Sequence, residues 1–368
     1  MPPRPNWAAV AGFIMLLGAV AIALAMLDDV RLFWIFAVAL MLGAAFVELD
    51  FGFTGGFRDL LERGDGRALG AALVIPAVAA LVVVPVGYMS PDYTRFVAPV
   101  GLSLLIGAAL FGIGMQLANG CGSGCLIAAG RGARRLWVAL PFFALGGVLG
   151  SLMLPGALDL PSLGIVDLAQ LLGPWGGLVA VETVLALLAW GLLRKGRPAP
   201  AQLYAGAIIG VLAVMLFLVA GEPWGITMGL TVFGAKVLQA LGIDLTRFSF
   251  WASGGARDLL SAPVLTMPSA LSDVGLLLGA GLAASVGGRF RLGVPITIRQ
   301  AAAGALGGLL MGVGARLSFG CNIGAFVSGT ASGSLHGLVW IIAVLPGCWL
   351  GIRLRPWFDA PAIAPLLR

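Results

Sequence analysis

At 368 residues, with 60% hydrophobic and only 10% charged side chains and a mean hydropathy of +1.04, the chain cannot be a soluble domain, in which roughly a quarter of residues would be charged. It reads as an all-α polytopic membrane protein whose partner is the lipid bilayer, one transmembrane domain over residues 1–368. The net charge of +6 comes from arginines in short loops; that pattern orients a membrane protein by the positive-inside rule and leaves no soluble basic domain to hold nucleic acid.

Taken in order, apolar runs of about 20 residues, the length that crosses a bilayer's hydrocarbon, predict spans near 8–27, 32–49, 68–88, 96–119, 136–156, 175–193, 201–220, 223–242, 270–288, 299–318 and 335–353. The first run follows Met1-Pro2-Pro3-Arg4-Pro5-Asn6 and lacks a small-residue cleavage site before Asp28 and Asp29, so it is expected to be retained. Basic clusters at Arg131, Arg134 and Arg135, at Arg194, Lys195 and Arg197, at Arg289, Arg291 and Arg299, and at Arg353 and Arg355 should face the cytoplasm. The 157–173 connection, with Asp159 and Asp167 and no basic residue, should face outward. Satisfying all of these requires one run not to cross. Residues 223–242 are the expected exception, being broken by Pro223, Gly225, Gly229, Gly234 and Lys236.

Two motifs recur at one spacing of about 200 residues, the mark of an internal repeat. Thr54-Gly55-Gly56-Phe57-Arg58-Asp59-Leu60-Leu61 returns as Ser253-Gly254-Gly255-Ala256-Arg257-Asp258-Leu259-Leu260. Asn119-Gly120-Cys121-Gly122-Ser123-Gly124-Cys125 returns as Phe319-Gly320-Cys321-Asn322-Ile323-Gly324-Ala325, and Gly112 and Gly114 before the first loop match Gly312 and Gly314 before the second. The expected organisation is a first repeat over about 28–156, connecting helices over about 157–220 and a second repeat over about 223–356. The arginine pattern makes the repeats inverted, a common transporter plan with its site at the midplane between them.

The duplicated loop is where chemistry is expected. Gly120, Gly122 and Gly124 alternate with Asn119, Cys121, Ser123 and Cys125, a composition unsuited to an ordinary span. Glycine allows bare, left-handed backbone, and non-helical backbone at membrane depth persists only where protein or a wet cavity satisfies it. Each loop, with Gly320, Asn322 and Gly324 in the second, therefore reads as a re-entrant turn whose N–H groups face a cavity and form an anion-binding nest. A tight glycine turn between packed helices is the plainer alternative, but packing alone does not require thiols at matched places. A thiol in apolar surroundings stays neutral, so Cys121 and Cys321 suit weak S–H contacts to a passing anion.

Cys125, matched by Ala325, is either a small core residue or part of a single-loop pocket; Cys348 reads as a packed apolar residue. Arg316, at the place held by Gln116 in the first half, is an intramembrane arginine and so a candidate for the substrate path. Arg58-Asp59 and Arg257-Asp258, each after a glycine pair, read as neutralised ion pairs at short helix starts, anchoring the fold. His336, the sole histidine, reads as a polar cap on the last span, and Lys236, Glu182 and Asp273 receive no separate role. Neither a phosphate-binding GxxxxGK[ST] loop nor a CxxC or histidine-rich metal spacing is present, and no cofactor, metal or catalytic residue is assigned.

On the two cysteine loops and the paired Gly-Gly-x-Arg-Asp-Leu-Leu segments, the chain resembles the YeeE/YedE family of sulfur-compound permeases, which includes thiosulfate uptake proteins. The resemblance implies an hourglass-like helical protein with re-entrant elements meeting at a narrow centre, where thiosulfate passes between the thiols of Cys121 and Cys321. Thiosulfate-carrying members are described with a further cysteine before the first Arg-Asp pair, where this chain has Phe53-Thr54-Gly55-Gly56. A different sulfur anion or a selenium compound is the substrate alternative. The expected setting is the bacterial inner membrane, with a cytoplasmic sulfur-carrier protein as a candidate partner. Two other readings of the same thiols stand beside this one: a copper or zinc transporter, and a membrane thiol enzyme handling persulfides, with Arg131, Arg134 and Arg135 as activators.

Overall fold

The computed structural model describes residues 4–292 and 295–359. Helices α1 (Trp7–Ala25) and α2 (Val30–Glu48) are followed by the short α3 (Phe53–Arg63) and by α4 (Arg67–Ala72) and α5 (Val74–Met89), which together make one crossing. Next come α6 (Leu102–Ala118), α7 (Gly122–Gly130), α8 (Arg134–Leu158), α9 (Leu168–Leu193), α10 (Pro200–Ala220) and α11 (Thr227–Ala240). The chain ends with the small α12 (Ser249–Ala252) and α13 (Gly254–Ser261), then α14 (Pro268–Val286), α15 (Ile298–Leu317), a π-helical segment (Asn322–Gly329), α16 (Leu335–Leu354) and the short α17 (Pro356–Asp359). A two-stranded hairpin pairs Pro99–Gly101 with Ser162–Ile165.

Among the described residues, ten segments are long and apolar enough to cross a membrane, and α11, with 14 residues, is not one of them. At about 1.5 Å per residue it is too short to span, in keeping with the glycines and proline that mark 223–242 as the exception. Polar caps set several starts: Asn6 accepts from Ala9 N at 3.1 Å, Asp29 from Arg31 N at 2.9 Å, and Thr297 and Gln300 cap each other reciprocally. The span predicted at 96–119 begins later, at Leu102, because residues 99–101 are spent in the hairpin. That predicted at 175–193 begins earlier, at Leu168, and is bent at Gly173, whose φ of 75° is followed by Pro174.

All the basic clusters fall on one face. The Arg131 carbonyl accepts from Arg291 N at 3.0 Å, Arg135 pairs with Asp359 at 2.6 Å, Gly66 N donates to the Lys195 carbonyl at 3.1 Å, and Arg289 pairs with Glu48. The opposite face holds the Arg95–Asp167 pair, 2.6 Å apart, and Arg31 on the carbonyls of Val219 and Ala220.

The centre is built from α6, α8, α15 and α16 in close contact. Gly107 lies against Ser318 and Gly114 against Gly307, so α6 and α15 run antiparallel. Gly304, Gly312 and Gly150 place α8 parallel to α15, from Arg135 to Arg316, and Gly112 and Gly351 place α16 parallel to α6. Without a hydrophobic force between helices in lipid, such backbone approach supplies the packing. A Cβ at Gly312 would stand 2.5 Å from Gly147 N and 2.7 Å from Gly146 C, both backbone atoms that cannot turn aside. Gly312→Val should therefore destabilise the protein by about 1–3 kcal/mol, read as a lower melting temperature in detergent. Gly12→Val, where nothing lies within 4 Å, should leave it unchanged.

Candidate functional site

Each cysteine loop follows a long helix and starts a short one. After α6 the chain turns at Asn119, φ 66°, and after α15 at Phe319, φ 60°. Gly320 follows with φ 150°, and any side chain there would meet the Ala325 amide; only glycine fits. Cys121 is then the N-cap of α7, its sulfur 3.4 Å from Gly124 N and from the Ser123 hydroxyl. Cys321 is the N-cap of the π-helical segment.

The two helix starts meet, Gly122 of one against Cys321 of the other. A Cβ added at Gly122 would stand 3.2 Å from the Cys321 sulfur, and one at Gly124 would stand 3.3 Å from the Cys121 sulfur. From this contact α7 runs toward the arginine-rich face, where Arg131 meets Arg291, and the π-helical segment runs toward the other, where Gly333 and Leu335 meet Leu168 and Val166. Two helix N-termini thus face each other inside the membrane, each with free N–H groups and the positive end of its dipole.

The expectation that these amides line an open cavity does not hold in this conformation. Cys121 is 1% exposed and Cys321 fully buried, and the grooves beside Asp273 and Glu182 reach neither. The thiols sit at a closed constriction because each loop folds back onto its own helix start. Asn322, directly after Cys321, is fully buried, and among the described residues neither its amide nitrogen nor its oxygen has a partner, a state that costs about 1–3 kcal/mol while it lasts. Gly324 has open space around it.

On the arginine-rich side, Arg58 of α3 donates to Gln116 Oε1 at 3.1 and 3.2 Å and to Asn119 Oδ1 at 2.8 Å, while Gln116 donates to the Thr54 carbonyl at 3.3 Å. The Thr54 hydroxyl faces Cys121. This corrects the reading of Arg58-Asp59 as an ion pair, since neighbours on a helix point apart. Asp59 instead faces Arg63 at 3.4 Å, one turn on. Gly56 lets α3 lie against Ala68 and Leu69, whereas Gly55 borders open space.

On the other side, Arg316 donates to the Ser151 hydroxyl at 3.0 Å, lies 3.8 Å from the Met228 sulfur and stacks 4.8 Å from the Phe250 ring. It has no acidic partner among the described residues. Arg257, Asp258, Gly254 and Gly255 are exposed on α13, and Arg257 and Asp258 form no ion pair with each other. The matched motif is therefore docked in the first half and stands off in the second.

Cys125 is buried with its thiol on the Gly120 carbonyl at 3.7 Å. Cys348 is buried beside the Gln116 amide. His336, read as a polar cap on the last span, lies in the first turn of α16, fully buried, with Nδ1 2.7 Å from the hydroxyl of the N-cap Ser334. Thr54 heads the matched motif but receives no site role from sequence; Ser151, Met228 and Phe250 are missed, since they reach the site from remote segments and leave no local pattern.

The family described as sulphur transport matches residues 50–350. The chain belongs to it. It is similar to the thiosulfate transporter TsuA of Spirochaeta thermophila, with 30% identity over 328 residues, 81% of this chain and 91% of that protein. It is similar also to the TsuA of Escherichia coli, with 26% identity over 354 residues, 86% and 93% of the two chains. The probable transporter YedE of Escherichia coli matches at 33% identity over 178 residues, 47% of this chain and 41% of that protein. This member of the family is accordingly a multi-pass membrane transporter and not an enzyme.

Because all four thiols are buried, a water-soluble maleimide should label the folded transporter slowly and the detergent-denatured chain completely within minutes. Mass spectrometry of timed samples reads the difference, and rapid labelling of Cys121 or Cys321 in the folded state would contradict the closed constriction.

Proposed function

We propose that the protein carries thiosulfate, or a closely related sulfur anion, across the bacterial cytoplasmic membrane by handing it between Cys121 and Cys321. The observation that carries this reading is the contact of two thiol-capped helix N-termini, Gly122 against Cys321. An anion in hydrocarbon needs donors to replace its water. The amides of the two helix starts and the free Asn322 amide supply them for the oxygens, and the neutral thiols supply weak, soft donors for a terminal sulfur. Weak contacts suit the task, because transport requires release at each step.

The antiparallel α6 and α15, with α8 and α16 each parallel to the other's partner, support the inverted repeats expected from the two motifs. On that plan the path has two mouths, with Arg58 and Asn119 at the arginine-rich, cytoplasmic one and Arg316 at the outer one. The sign of these groups favours an anion over a soft metal cation, which an arginine at each mouth would repel. Arg316 also lowers the cost of bringing a dianion from water to the constriction.

Uptake of radiolabelled thiosulfate by the reconstituted protein tests the reading, with sulfate, sulfite and selenite as competitors. Unlabelled thiosulfate should compete and sulfate, which lacks a soft sulfur terminus, should not; equal competition by sulfate would sink the thiol role. Cys321→Ala should abolish uptake while the protein elutes as a folded species. Gly122→Ala, whose methyl would press on the Cys321 sulfur, should slow uptake by about 10-fold with little change in melting temperature.

A further inference from the structure

Asp273 plays no part in the path as described. It lies in α14, 1% exposed, and among the described residues neither carboxylate oxygen makes a well-formed hydrogen bond, although the Leu230 amide in the first turn of α11 faces it. The surrounding elements bring it no counter-charge. On α11, Gly229 packs directly against the carboxylate, and Lys236 is turned away to the Leu260 carbonyl at 2.8 Å. On α2 the ionisable groups are at the ends, Arg31 on Val219 and Glu48 on Arg289. On α8, Arg134 and Arg135 are held by Leu292 and Asp359. Helix α7 brings only the thiol of Cys125, and α1 brings no ionisable group.

Asp273 is nonetheless joined to the proposed path. The first turn of α11 makes three successive connections: Ile226 flanks Gly122 at the constriction, the Met228 sulfur lies on Arg316, and Gly229 abuts Asp273. The neighbouring Ser272 ties the same turn to α14 through the Gly225 carbonyl, 3.4 Å away.

An ionised carboxylate buried without a counter-charge is costly, so Asp273 rests as the neutral acid. A substrate anion at Cys321 makes the ionised form costlier still, because two like charges would then flank the same first turn of α11 inside the protein. The two equilibria are then coupled in both directions: an anion at the thiols holds the proton on Asp273, and loss of the proton weakens the hold on the anion. We propose that Asp273 is the proton-binding site of this transporter, protonated while the anion occupies the thiol constriction, so that a proton moves with the anion. This rests on the sulfur-anion reading above and adds its coupling ion.

The test uses the full-length protein in proteoliposomes with radiolabelled thiosulfate, following counterflow, accumulation under an acid-outside proton gradient, and pH of the outer medium. The wild type should accumulate thiosulfate and alkalinise the medium as it does so. Asp273→Asn, nearly the same shape, should keep counterflow yet lose gradient-driven accumulation by about 10-fold or more. Undiminished accumulation by Asp273→Asn overturns the proposal. Should that variant not fold, the wild-type measurement decides alone, since thiosulfate uptake without proton movement also overturns it. Absence of thiosulfate counterflow in the wild type overturns the substrate assignment instead, and the two failures are thereby told apart.

Discussion

Two helix starts placed head to head inside a membrane are the arrangement on which the rest of this protein depends. Each carries the equivalent of about half a positive charge and several amides without partners, so the pair repels itself and leaves donors unsatisfied when nothing lies between. Gly122 against Cys321 is tolerable only if the surrounding helices hold it there. The antiparallel α6 and α15 do so, with α8 and α16 locked to them through glycines at backbone contact. A composition that would be poor for a soluble helix is therefore what this core needs.

On the proposed reading, the same arrangement selects its occupant by sign and by hardness. An anion between two dipole ends relieves their repulsion; a cation increases it. Bringing a dianion inward against a negative interior costs about 2.3 kcal/mol per charge for each 100 mV, which converges with the lone, buried Asp273 on α14. Thiols in place of hydroxyls at both N-caps are a choice of softness, since serine or threonine caps helices better. That choice suits the soft sulfur anion proposed as the cargo.

Much of this was legible in the sequence, and the reasons differ from feature to feature. The spans follow from composition, and the failure of 223–242 to cross follows from its glycines, its proline and the placement of arginines around it. The thiol loops declare themselves because glycine and cysteine alternate where leucine is expected. The contacts of Arg58 were hidden, because Gln116 and Asn119 are 58 and 61 residues away and the nearest carboxylate in sequence, Asp59, is turned elsewhere. Nor does any local pattern tell that Asn322 is left without partners, or that the loops are shut over their thiols; both depend on what the other half of the chain brings.

The unequal docking of the two matched segments has a physical cause in two exchanges. In the first half Phe57 is fully buried and fixes α3 in place, and Gln116 offers the oxygen that Arg58 reaches. In the second half Ala256 replaces the phenylalanine, and Arg316 stands where Gln116 would be. A docked Arg257 would then face a second guanidinium in a poorly hydrated mouth, where like charges are not screened. Arg257 is instead left exposed on α13, and the Phe250 ring of α12 covers the Arg316 guanidinium. The exchange moves the cation from the amphipathic segment to the long helix without changing its number: each proposed mouth keeps one arginine bonded beside its loop, and the halves diverge in how that arginine is held while agreeing on the charge an anion meets.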